Sequence, residues 1–177
     1  MHMWARRTGS RGRHSAGSRE GAGKRHTAAV EIRLARQQDV AQLAELLWLH
    51  AAPHEQNMQS VEAFVSDLRV WWARHDDSHL AFVAGGPELV GMAWLALVPR
   101  VPRPGSMARF SADIQSVFVL PEHRGRGVGS ALIKRATEHA LDLGVGRVTV
   151  HSGRKAVPVY ERLGFASSSQ LLELRSE

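Results

Sequence analysis

Apolar and polar residues alternate from Val30 to Ala35, V-E-I-R-L-A, which is the period of a half-buried strand. After Asp39, a residue suited to capping a helix, the period lengthens. Val40, Leu43, Leu46 and Leu47 then share one helical face, and a helix is predicted to about Ala51, ended by Pro53. Ala51–Gln59 is predicted as a loop. Phe64, Val65, Leu68, Trp71 and Trp72 mark a second helix over Val61–Arg74. His79–Ala84 is a predicted strand, Gly85-Gly86-Pro87 a turn, and Leu89–Val98 the antiparallel return. Pro99–Gly105 is proline-rich, too stiff and too poor in N–H donors for a strand. Arg109–Leu120 is predicted as one long strand. Leu132, Ala136, Ala140 and Leu143 carry a helix over Val128–Leu143, with Gly144 as its C-terminal cap. Arg147–His151 is the next strand, expected parallel to its predecessor through a right-handed crossover. A helix over Lys155–Leu163 ends at Gly164. Pro158 would distort its middle unless the helix begins late enough to make it an early position. Leu171–Leu174 is a predicted last strand. The order implies an α/β domain of the mixed α+β kind, with no internal repeat.

Composition narrows the classes. The 177 residues suit one domain with a real core, and an apolar share of 44% is ordinary for a globular protein. The net charge of +6 suggests a nucleic-acid partner until it is located. Residues 1–28 hold seven Lys/Arg and one Glu, leaving sixteen of each sign elsewhere. The remaining 29–177 are therefore neutral overall, and a basic nucleic-acid-binding face is not expected there. Residues 1–28, rich in Arg, Gly, Ser and His, cannot bury a core and are expected to be a disordered basic tail. A solvated tail, a basic arm for an acidic partner and an organelle presequence all remain open for it. The absence of Cys excludes disulfides, a thiolate nucleophile and Cys-ligated zinc. No apolar run of about 18 residues occurs, so no membrane span is expected. The start lacks the apolar core of a secretory signal, and a cytoplasmic location is expected. His50 and His54 stand four apart with Pro53 between them and no third ligand in view, so no metal site is expected.

The stretch Gln115–Ser130, QSVFVLPEHRGRGVGS, carries the candidate chemistry. Val117, Phe118 and Val119 are strand formers, and Pro121 closes the strand. Arg124, Gly125, Arg126, Gly127, Val128, Gly129 and Ser130 then form a glycine-rich turn into a helix. Such a turn lets successive backbone N–H groups converge on an anion at the positive helix end. A phosphate or pyrophosphate ligand is implied. A Walker-type loop does not fit, because Gly129 is followed by Ser130 and Ala131 rather than Lys-Ser/Thr. A dinucleotide loop does not fit either. Its third glycine falls on Ser130, and the next strand ends Val150-His151-Ser152 without a carboxylate.

Arg124, Gly127 and Gly129 match the [QR]-x-x-G-x-[GA] loop of the GNAT N-acetyltransferases. The preceding V-x-V-x-P-x-x-R and the later Ala156, Tyr160, Gly164 and Phe165 also resemble that family. The chain is thus similar to a GNAT acetyltransferase over roughly Val30 to Leu174, most sharply from Gln115 to Phe165. The resemblance implies a domain over 29–177 with a splayed, twisted mixed sheet of six or seven strands and about four helices. It implies acetyl-CoA as acyl donor, its pyrophosphate on Arg124–Ser130 and its pantetheine arm along the backbone of Val117, Phe118 and Val119. It implies Tyr160 as proton donor to the leaving thiolate and a primary amine, expected to be a small molecule, as acceptor. Many relatives carry Glu as general base where Gln115 stands. Asp113, two residues back and expected on the same face, is the nearest substitute, with His151 a second candidate. Gly153 replaces a frequent Asn. These departures leave open an acyl-CoA-binding module with little catalysis, and the tail leaves open a protein acceptor. Arg100 and Arg103 would favour an anionic acceptor if they lined its pocket. Monomer and homodimer are both compatible with the chain.

Overall fold

The computed structural model describes residues 30–174. The basic segment 1–28 lies outside the described residues. The sheet has five strands in sequence order: β1 (Ile32–Leu34), β2 (His79–Gly85), β3 (Leu89–Pro99), β4 (Phe110–Val119) and β5 (Val148–Val150). Neighbours are antiparallel except β4 and β5, which run parallel. The helices are α1 (Val40–His50), α2 (Pro53–Gln56), α3 (Val61–Ala73), α4 (Val128–Asp142) and α5 (Val157–Arg162).

Strand alternation sends side chains to two cores, because successive residues of a strand point to opposite faces. Ala81, Val83, Met92, Trp94 and Phe118 pack under α1 and α3 with Leu43, Leu46, Leu68 and Trp72. Phe82, Ala84, Ala93, Leu95, Ala112 and Ile114 pack under α4 with Leu132, Ile133, Ala136 and Ala140, and Tyr160 of α5 joins them. Gly91 on β3 permits a close approach. A Cβ there would lie 2.9 Å from the Phe118 carbonyl oxygen and 3.3 Å from Leu132 Cδ1.

The mixed α+β class is as expected. The expected count of six or seven strands becomes five among the described residues, because Leu171–Leu174 forms no strand. Leu171, Leu172 and Leu174 are exposed, and β5 offers only three residues for a further strand to pair with. The loop expected over Ala51–Gln59 contains α2. Pro53 opens that helix, where its missing N–H costs nothing, and Glu55 Oε2 accepts the Ala52 N–H at 2.7 Å. Pro158 is the second residue of α5, which starts two residues later than the sequence pattern implies and so avoids distortion. Asp39 precedes α1 but does not cap it through its side chain. Its carboxylate instead accepts two bonds from Arg33, at 2.7 and 2.9 Å, and one from the Arg36 N–H at 2.7 Å. This buried clasp fastens β1 to the start of α1.

Candidate active site

β4 delivers the site, and its two edges differ. Towards β3 it pairs along its whole length, with one register shift. Trp94 faces Ser116 while Leu95 faces Ile114, so Gln115 is an extra, bulged residue. The bulge reverses the side-chain parity. Ala112 and Ile114 point to the α4 core before it, and Val117 and Val119 do so after it. Gln115 therefore sits on the bulge itself, where the simple alternation that relates it to Asp113 is interrupted. Towards β5, pairing covers only Ala112–Ile114 with Val148–Val150. Among the described residues Gln115–Val119 thus has no strand partner on that edge, and a gap opens between the two parallel strands.

Beyond Val119 a short turn, Pro121–His123, leads into the glycine loop. Gly125 and Gly127 take positive φ, +70° and +80°, where a side chain is strained. Gly127 is the N-terminal cap residue of α4 and supplies no side chain to its free N–H groups. Those groups face a cavity of about 360 Å³. Val119, Arg124, Gly125, Gly127, Val128, Gly129 and Ser130 line it. Arg126 is exposed and does not line the cavity. His123, Val159 and Arg162 complete the wall, and none of the three was singled out from the sequence. Val159 and Arg162 come from α5, so only the fold places them beside the loop. Arg124 turns back over β4: its Nε donates to the Val119 carbonyl at 2.8 Å, and its guanidinium carbon is 5.5 Å from the Phe118 ring centre.

Tyr160 is buried, its ring 5.4 Å from that of Phe165. Burial raises its phenol pKa above the usual value near 10, which keeps the proton on the oxygen at neutral pH. The ring lines a cavity of about 440 Å³ with Val150, His151 and Ser152 at the end of β5. His151 therefore shares a wall with Tyr160. Asp113 belongs to the paired part of β4, where Thr149 Oγ1 donates to its Oδ1 at 3.0 Å. Gln115 is exposed at the first unpaired position.

On the face of α1 and α3, a groove of about 780 Å³ runs between α1, α2 and the start of α3. Leu47, Trp48, His50, Glu55, Met58 and Phe64 are among its walls. His50, in its wall, lies 5.4 Å ring to ring from Phe118 of β4. Arg100 lies in another cavity, with Arg109 and Arg147 at the opposite end of β4. Among the described residues no group of three or more His, Cys, Asp or Glu is arranged to hold a metal.

The sequence matches the acetyltransferase (GNAT) family over residues 40–165. The chain belongs to this family. It is 36% identical over 87 residues to the glucosamine 6-phosphate N-acetyltransferase of Trypanosoma brucei brucei, a match covering 49% of this chain and 57% of that enzyme. The chain thus spans little more than half the length of that curated relative. Among solved structures it resembles a Trypanosoma brucei acetyltransferase with a TM-score of 0.65 and 28% identity, covering 83% of this chain and 99% of that one. It also resembles a transcriptional regulator from Bacillus halodurans, with a TM-score of 0.64 and 27% identity over 83% and 99% of the two chains. The GNAT fold accounts for the parallel pair β4–β5 and for the glycine loop between β4 and α4.

Proposed function

We propose that this GNAT protein transfers an acetyl group from acetyl-CoA to a primary amine by direct attack. One observation carries the reading: the uncapped α4 N-terminus and its two left-handed glycines open beside Gln115–Val119, a stretch of β4 with no partner on its β5 edge among the described residues. The residues present fit the donor. A pyrophosphate takes backbone N–H bonds at the α4 N-terminus, with Arg124 and Arg162 as cations at the cavity wall. The amides of a pantetheine arm pair with the free edge of Val117, Phe118 and Val119 in the manner of an added strand. Arg124 already bonds the Val119 carbonyl, so that side chain shifts or shares the acceptor on binding.

Acetyl-CoA supplies an activated acyl group. In the transfer a nitrogen–carbon bond forms, the carbon–sulfur bond breaks, and the electron pair of that bond leaves with the sulfur. The amine loses one proton and the thiolate gains one. Charge developing on the acetyl oxygen is met by a β4 N–H near Val119. Tyr160 is the proton donor to sulfur, held neutral by its burial. Asp113 lies on the part of β4 paired with β5, away from the open edge, and accepts from Thr149 on one oxygen. His151 shares the Tyr160 cavity and is better placed to pass a proton to water. Replacing Tyr160 by Phe is expected to slow transfer at least about a hundredfold with acetyl-CoA affinity unchanged. Unchanged transfer would remove Tyr160 from the mechanism.

A second reading has support in the same site. Gln115 cannot take a proton and Asp113 lies away from the open edge, which suits an acyl-CoA-binding module with little catalysis. A screen of amines against the acetyl-CoA complex separates the two, since the module binds the donor without releasing CoA.

A further inference from the structure

We infer that the acceptor is a primary amine carried on an apolar, aryl-sized body that lies in the groove between α1, α2 and α3. The inference rests on the acetyl-transfer reading and names its substrate class. The groove is about 780 Å³, within the range of small-molecule sites. Leu47, Trp48, Met58 and Phe64 give it apolar walls. Trp48 and Phe64 form an aromatic pair with ring centres 6.2 Å apart, which offers both ring faces and ring edges to an aryl guest.

Charge sets the rest of the class. The groove lining includes no Lys or Arg, so a phosphorylated or carboxylated acceptor would find no permanent cation there, only the imidazoles of His50 and His54. Arg100 lies in the separate cavity with Arg109 and Arg147. Glu55 is the single carboxylate of the lining, and its Oε2 is held by the Ala52 N–H. One carboxylate matches one ammonium. A polyamine, with several charges spaced along its chain, would leave most of them unpaired against apolar walls, which is costly. His50, in the groove wall, meets Phe118 of β4 ring to ring at 5.4 Å, so the groove lies next to the strand that bears the gap.

The test is calorimetric, on the full chain saturated with CoA, so that no turnover occurs. The probes are 2-phenylethylamine, glucosamine 6-phosphate and spermidine. 2-Phenylethylamine is expected to bind at least tenfold more tightly than either of the others. Met58 is exposed on the groove rim, so charged substitutions there leave the core intact. Met58→Arg is expected to weaken 2-phenylethylamine at least tenfold by repulsion, and Met58→Asp to leave it or tighten it. Acetyl-CoA affinity should stay within twofold in both. Equal or tighter binding of the phosphosugar or of spermidine overturns the inference. So does 2-phenylethylamine binding that ignores both substitutions, or no binding of it by a protein that takes up acetyl-CoA normally. Failure of the unmodified protein to bind acetyl-CoA overturns the acetyl-transfer reading itself.

Discussion

Asp39 shows how one residue can be right in position and wrong in role when only its neighbours along the chain are known. The sequence marks it as a helix cap, yet its carboxylate closes on Arg33 and the Arg36 N–H. The hydrogen bonds from Arg33 hold its pKa below the ordinary carboxylate value. A carboxylate depressed in the folded state stabilises the fold fully above the unfolded pKa of about 3.9. That contribution is lost as pH falls through the lower folded value. Asp39→Asn should therefore lower Tm at pH 7, by the equivalent of about 2 kcal/mol, and flatten the acid limb of Tm against pH. Scans of the two proteins from pH 7 to pH 2 check this. The glycines of the loop are the opposite case, because their demand is local and legible. A Cβ at Gly127 would meet nothing within 4 Å, so Gly127→Ala is strained by its φ of +80° alone. A loss of about 1 kcal/mol in denaturant unfolding is expected there. Gly129→Ala, with a Cβ at an ordinary 3.7 Å from Val119 Cγ2, should cost less.

At the scale of elements, whatever depends on period was visible and whatever depends on partners was not. The long β4, the turn and α4 follow one another in sequence, so the glycine turn into α4 could be read directly. The bulge at Gln115 could not, since it exists only against the register of β3. Arg162 and His123 escaped notice for the same reason: they join the loop through α5 and a tight turn, without a motif of their own. Leu171–Leu174 has the composition of a strand, yet it joins no sheet among the described residues. Gly91 is the element-scale contact with the sharpest prediction. Gly91→Ala would drive β3 from β4 and α4, because its Cβ would sit 2.9 Å from a backbone oxygen that cannot yield. A loss of about 1–3 kcal/mol in denaturant unfolding is expected, with an unchanged m-value. Full tolerance would mean that the two strands pack less closely than described.

At the scale of the molecule, five strands divide two cores, and the gap between β4 and β5 opens between them. One side of that gap meets the α4 N-terminus and its cations. The other carries Phe118, whose ring His50 of the groove wall contacts. Donor and acceptor would then approach β4 from opposite faces of one sheet. No helix among the described residues is long and apolar enough to cross a membrane. The most direct test is a calorimetric titration with acetyl-CoA of the unmodified protein beside Gly127→Glu. Stoichiometric binding to the first, abolished in the second while its fold persists by circular dichroism, is the predicted result. Absence of binding to the unmodified protein, or equal binding to both, would contradict the assignment of the glycine loop as the seat of the donor.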